Sequence, residues 1–292
     1  MSAAIANAFT VDVEDYFHVS AFADTVRRDR WDEYESRVER NTHRLLDLLD
    51  GFGTKGTFFV LGWVAERHPG LVREIHARGH EIACHGFSHE LVYAQRPEVF
   101  RQETLRSKKF LEDVVGVAVQ GYRAASYSVT RESLWALDIL ADAGFTYDSS
   151  IFPISHDRYG VPGAPRFPFR FELDAGPLRE FPLTTARYGR MLLPVAGGGY
   201  FRLLPYEVTK AGLRRVNSRD GAPAVFYLHP WEVDVDQPRL RGSLVSRLRH
   251  YTNIGRCEAR LKRLLGDFDW APMGRVLDGL DLPVVSLAEL AR

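Results

Sequence analysis

Two histidines four residues apart, His85 and His89, sit just past the short apolar run Glu81-Ile82-Ala83-Cys84. On a helical turn this spacing puts both imidazoles on one face, where they can converge on a single divalent ion. The chain has ten histidines, so such a pair also arises as an ordinary surface or core pair, and its meaning depends on its company. Asp12-Val13-Glu14-Asp15 packs three carboxylates into four residues, which repel one another unless a cation or an arginine compensates them. A solvated turn or helix cap is one reading of that cluster; a metal ligand beside a general base is the other. Two neutral imidazoles and one carboxylate leave coordination positions for water and substrate, which a catalytic divalent ion needs. Gly121-Tyr122-Arg123-Ala124-Ala125 offers an arginine able to pair bidentately with a carboxylate. Val225-Phe226-Tyr227-Leu228 delivers His229 directly before Pro230-Trp231-Glu232.

These groups act together only if secondary structure brings them to one place. Ala6 to Val13 reads as a β-strand that ends in the acids. Leu45, Leu48, Leu49 and Phe52 recur at i, i+3, i+4 and i+7, predicting an amphipathic helix over Glu39 to Phe52. A strand follows at Lys55 to Leu61, then a helix from Pro69 to Gly79 and the strand Glu81 to Cys84. Helices at Pro97 to Val115 and Thr130 to Ala143 flank a strand at Val119 to Tyr122, and Phe145 to Asp148 is the next strand. This alternation predicts an α/β fold with a parallel sheet, open or closed into a barrel. Residues 151–202 break the rhythm with proline and glycine and read as a long functional loop. A helix at Tyr206 to Val216 and a strand at Ala224 to Leu228 resume it, and Leu244 to Arg292 reads as mostly helical. Without repeats or linkers, residues 1–292 form one domain on this reading. The acids, Arg123 and His229 all fall at strand C-termini, the active face of an α/β barrel.

Bulk properties narrow the class. With 292 residues, 45% hydrophobic and 26% charged, the chain has the composition of a globular protein. Its 38 basic and 38 acidic residues balance, so no global field favours nucleic acid or an anionic membrane. No stretch approaches the ~20 apolar residues of a membrane span, and the N-terminus lacks the pattern of a signal peptide. Only Cys84 and Cys257 occur, which argues against a disulfide framework. A cytoplasmic location is the expectation; the oligomeric state stays open.

In this order the motifs resemble the polysaccharide deacetylase family, the NodB-homology carbohydrate esterases of family four. The resemblance rests on Thr10-Val11-Asp12-Val13-Glu14-Asp15, His85-Gly86-Phe87-Ser88-His89, Arg123-Ala124-Ala125 and Leu228-His229. Val11 to Phe17, Tyr147 to Pro153, Gly197 to Arg202 and His229 to Glu232 further resemble the subgroup found at exopolysaccharide and exosortase loci. The implied fold is a distorted (β/α) barrel, with a core over about 6–232 and a helical C-terminal extension over about 233–292. The implied activity is hydrolysis of N-acetyl groups from amino sugars of a polysaccharide, oligosaccharide or lipid-linked precursor. It would use a divalent metal, Zn²⁺ foremost and Co²⁺ or Ni²⁺ as alternatives, on His85, His89 and Glu14.

The family's adjacent Asp-Asp is Asp-x-Glu-Asp here, so Asp15 rivals Glu14 as the carboxylate ligand. Alanine replaces the proline often found after the motif arginine. The resemblance makes Asp12 the base, Arg123 its partner and His229 the acid, with a backbone N–H near Tyr127 assisting the oxyanion. Tyr127, Tyr200, Phe201 and Trp231 are candidate sugar-stacking residues, core packing being the alternative for each. Two rivals accompany this reading: a small cyclic amide hydrolase of the allantoinase-like branch, and a non-catalytic glycan-binding relative.

Overall fold

The computed structural model describes residues 5–156 and 158–291. Its centre is β1 (Asn7–Val13), buried along its whole length, as a strand with neighbours on both edges and layers on both faces must be. On one edge β1 pairs in parallel with Val225–Leu228, and on the other with β2 (Thr57–Val60). From β2 the sheet continues in parallel through β3 (Glu81–Cys84), β4 (Gly121–Tyr122) and β5 (Tyr147–Asp148). A hairpin of β6 (Phe169–Leu173) and β7 (Gly176–Glu180) follows, with β7 parallel to β5 and β6 on the edge. A separate hairpin joins β8 (Thr185–Tyr188) and β9 (Met191–Pro194), and Val225–Leu228 is β10.

Register decides where the chemistry emerges. Val11 is level with Leu228, Val13 with Val60, Val60 with Cys84, Cys84 with Tyr122 and Tyr122 with Asp148. The residues that follow those strand ends (Glu14, His229, His85, Arg123 and Ser149) therefore leave the sheet along one rim. The sheet also curls toward closure. Leu183 N–H donates to Ile151 C=O (2.9 Å), Thr184 Oγ1 to Val225 C=O (2.9 Å) and Tyr227 N–H to Ala196 C=O (2.7 Å). These links tie the β5–β7 side to β10.

Helices cover the outside. α1 (Val38–Gly51) buries Leu45, Leu46 and Leu49; Leu48 and Phe52, placed on the same predicted face, turn further out. Short α2 (Gly62–Arg67) precedes α3 (Pro69–Ala77), and proline occupies the first turn of both α3 and α4 (Pro97–Val115). α5 (Trp135–Asp142) packs against α4 and β7, while α6 (Gly198–Leu203) and α7 (Tyr206–Arg215) lead into β10. The C-terminal part is helical, with α8 (Leu244–Tyr251), α9 (Ile254–Asp267), α10 (Met273–Asp278) and α11 (Leu287–Leu290).

One expectation needs correcting. Residues 151–202 are not one long loop but carry the β6–β7 and β8–β9 hairpins. Proline and glycine hid them, although Phe169 and Phe171, and Leu178 and Glu180, alternate inward as strand residues do. The C-terminal part is also tied into the sheet. β11 (Trp270–Ala271) pairs with the start of β1, and Met273 N–H donates to Thr57 Oγ1 at 2.7 Å. A two-residue strand is too short to show periodicity.

Candidate active site

Glu14, His85 and His89, all buried, each present a ligand atom, and these atoms lie within 4.8 Å of one another. The histidines do not converge on a helical turn, as their spacing suggested. His85 directly follows β3, and the chain then passes through left-handed residues at Gly86 (φ 71°) and His89 (φ 52°). Hydrogen bonds from Gly62 N–H and Ser107 Oγ to the Gly86 carbonyl (2.8 and 2.9 Å) and from Trp63 N–H to the Phe87 carbonyl (3.1 Å) pin this loop. Gly62 is required there, since a Cβ would lie 2.5 Å from Ser107 Oγ and 2.6 Å from the Phe87 ring.

The donor set fits a divalent cation. His85 Nδ1 donates to the Arg123 carbonyl at 2.8 Å, which fixes the tautomer that leaves the Nε2 lone pair free. Burial holds the His85 imidazole neutral, down to about 4. Glu14 Oε2 is buried, lies 2.7 Å from His89 Nε2 and has no hydrogen-bond partner in that geometry. Burial alone would push the Glu14 carboxyl up, but His89 and His229 overcome it and hold Glu14 well below the usual carboxylate range. An ionised carboxylate with an orphaned oxygen beside two imidazoles is what a metal ligand set looks like without its ion.

Asp15 is elsewhere employed. Its Oδ2 accepts from Ser36 Oγ (2.8 Å), Arg37 N–H (2.8 Å) and Val38 N–H (3.1 Å), and its Oδ1 from Tyr16 N–H (3.1 Å). These contacts bind it to the start of α1, and it belongs to no ligand cluster among the described residues.

Asp12 faces the same cavity from β1. Arg123 Nη1 donates to Asp12 Oδ1 at 2.7 Å, through one nitrogen rather than the bidentate fork expected. The other donors of the fully buried guanidinium go to Thr10 Oγ1 (2.7 Å), Ser149 O (3.1 Å) and Ser149 Oγ (3.0 Å). Tyr127 Oη donates to Asp12 Oδ2 at 3.3 Å. That reach comes from two successive left-handed residues, Ser126 (φ 51°) and Tyr127 (φ 55°), a conformation costing on the order of 1 kcal/mol or more each. The Tyr127 N–H itself donates to the Ala124 carbonyl at 3.0 Å, so a backbone donor for an oxyanion would have to be a neighbouring N–H.

Opposite Asp12 stands His229, its Nε2 3.9 Å from Asp12 Oδ2 and 3.6 Å from Glu14 Oε1. Burial would strip its proton, but Glu14 and the Nδ1–Glu232 hydrogen bond (2.8 Å) raise it to about 9. Glu232 also accepts from His229 N–H (3.0 Å) and from the buried Arg202 guanidinium. The Arg202–Glu232–His229 chain was not foreseen. Its signal was the i, i+3 spacing of His229 and Glu232, which closes a capping box around a short 3₁₀ turn.

Asp12, Glu14, His85, His89 and His229 line a cavity of about 150 Å³. Tyr127, Tyr159 and Tyr227 form walls, and at the rim Ser20 Oγ and Ser126 Oγ are hydrogen-bonded at 2.8 Å.

The other aromatic candidates are corrected. Phe201 is core, packed edge-on against Phe226 at 4.9 Å. Tyr200 is half-buried, packs on the apolar cluster beside Tyr159 and does not line the cavity. Trp231 reaches the cavity wall, but its ring stacks on His229 (5.0 Å) and His250 (4.1 Å), and Nε1 donates to Glu14 Oε1 at 3.3 Å. Phe201 is turned inward by the packing of α6 on the core, and Trp231 by the 3₁₀ turn that follows β10.

Known proteins resemble parts of this chain. Residues 30–147 match the polysaccharide deacetylase family model, and residues 149–278 match a domain of unknown function, DUF3473. A peptidoglycan-N-acetylglucosamine deacetylase of Bacillus cereus is 30% identical over 98 residues, 33% of this chain and 36% of that protein. A chitooligosaccharide deacetylase of a Bradyrhizobium species is 29% identical over 100 residues, 34% of this chain and 43% of that protein. The chain thus spans less than half the length of these curated relatives. A Mycobacterium smegmatis crystal structure named as a polysaccharide deacetylase superposes with a TM-score of 0.62 and 22% identity, covering 98% of this chain and 96% of that one. At that identity the likeness concerns the fold.

Proposed function

We propose, for a chain whose residues 30–147 match the polysaccharide deacetylase family model, that it hydrolyses N-acetyl groups from the amino sugars of an exopolysaccharide or its precursor. The observation that carries this reading is the pairing of Asp12 and His229 across the Glu14, His85 and His89 cluster, with 3.9 Å between Asp12 Oδ2 and His229 Nε2. Glu14, His85 and His89 would hold a divalent metal, zinc foremost. When bound, the metal supplies an acidified water and polarises the acetamide carbonyl.

The chain's own groups do the rest. Asp12 accepts the proton of the attacking water, oriented by Arg123 and Tyr127 at its two oxygens. Arg123, fully buried, compensates the carboxylate's charge, and losing one partner of such a buried pair costs about 3–5 kcal/mol. His229, protonated at neutral pH, gives its Nε2 proton to the departing amine as the C–N bond breaks. Glu232 holds the other ring nitrogen, so that the acid faces the cavity. Tyr127, Tyr159 and Tyr227 offer ring surface to the sugar.

The test is acetate release from N-acetylglucosamine oligomers by metal-stripped protein, then after reloading with Zn²⁺, Co²⁺ or Ni²⁺. Acetate should appear only with metal and not in His85→Ala. Asp12→Asn should keep its metal and lose turnover by about 10²-fold or more. An Asp12→Asn protein that releases acetate at the parent rate would sink the assignment of the base. Failure of every metal and every oligomer would point to a different substrate or a binding role.

A further inference from the structure

Between Gln237 and Cys257 the chain carries five arginines (Arg239, Arg241, Arg247, Arg249 and Arg256) and neither aspartate nor glutamate, within a protein of 38 basic and 38 acidic residues. Among the described residues, none of the five forms an ion pair. Helix α8 runs through the middle of this segment, and its amphipathicity is inverted. Its buried residues are the polar Ser246 and His250. Its outward residues are apolar, with Leu244, Val245 and Leu248 exposed by 70%, 56% and 57%. At about 100° per residue, Leu248 lies opposite the Ser246–His250 side, with Leu244 and Val245 beside it. Exposed Arg247 and Arg249 border this stripe on either flank. A helix packed on a globular core shows the reverse arrangement.

We propose that α8 is a docking surface for an anionic lipid bilayer. Leu244, Val245 and Leu248 enter the boundary between headgroups and acyl chains, and Arg239, Arg241, Arg247 and Arg249 meet the lipid phosphates. Charge selects this occupant over a second copy of the chain. A two-fold contact through α8 would set the same arginines against each other, and the segment that carries them has no acid of its own to offset them. An anionic membrane supplies the missing charge and the apolar phase together. A helix of 8 residues gives reversible attachment rather than permanent insertion.

The placement also has a consequence for the cavity. His250, on the inward side of α8, stacks on Trp231 at 4.1 Å, and Trp231 donates to Glu14. One helix thus separates the bilayer-facing stripe from the cavity wall.

The test is flotation of the full chain with vesicles of phosphatidylcholine containing about 30% phosphatidylglycerol, at about 0.1 M salt. Binding is expected there, with at least about a tenfold loss on pure phosphatidylcholine or at about 0.5 M salt. Leu244→Ser with Leu248→Ser, and separately Arg247→Gln with Arg249→Gln, should each weaken binding by about tenfold or more. These side chains face solvent, so the parent circular dichroism and melting temperature should be kept. Absence of binding, equal binding to neutral vesicles, or binding untouched by both double variants would overturn the proposal. A concentration-dependent dimer dissolved by the leucine variant would also overturn it, and would assign the face to contact between copies.

Discussion

At the scale of single residues, the site is a set of charges whose environments push them apart. Glu14 is held ionised and His85 neutral, as ligands require, while His229 is raised to about 9. Three carboxylates, Glu14, Glu232 and Asp12, sustain the His229 proton, and a bound cation would compensate Glu14, leaving Glu232 as the larger of the two that retain it. Glu232→Gln should therefore lower the His229 pKa. A general acid must be protonated to act, so the alkaline limb of the pH–kcat profile should move to lower pH, with the acid limb unmoved. An alkaline limb at the parent position would show that Glu232 serves packing alone.

At the scale of elements, two buried carboxylate arrangements make opposite predictions. Asp15 accepts four hydrogen bonds that fasten the β1 exit to the start of α1. Asp15→Asn should cost about 1–3 kcal/mol in denaturant unfolding and leave metal stoichiometry unchanged; loss of metal would make Asp15 a ligand after all. Asp148 and Glu180 lie level on neighbouring strands β5 and β7, fully buried, and Asp148 Oδ2 and Glu180 Oε2 lack other partners. Burial raises both, Asp148 to about 6 and Glu180 well above its ordinary value, so the pair shares a proton at neutral pH. A raised carboxyl contributes stability at low pH that is lost as pH climbs through its folded pKa. Glu180→Gln places a fixed amide donor where the shared proton lies. Its melting temperature should exceed the parent's more at pH 8 than at pH 5, and an equal difference at both would contradict the shared proton.

At the scale of the whole molecule, the sheet assembles the site from segments more than 200 residues apart, since Glu14 and His229 meet only when β1 pairs with β10. Metal binding should therefore stabilise the entire fold. Zn²⁺ at about a hundredfold its Kd should add about 2.7 kcal/mol. Calorimetry of metal-stripped and reloaded protein would check this, and His89→Ala should abolish the gain. An unchanged melting temperature in the parent would mean that the cluster holds no zinc. From the sequence alone one could read the strand–helix alternation, the rim on which the acids, Arg123 and His229 emerge, and the pairing of His85 with His89. Those follow from local periodicity and residue type, which act over a few residues and leave a pattern. The choice of Glu14 over Asp15, the loop that replaced a helical turn, the inward rotation of Phe201 and Trp231, and the Arg202–Glu232 support of His229 were decided only by tertiary structure. Each depends on which distant group fills a neighbouring space or saturates a hydrogen bond, and no spacing along the chain encodes that.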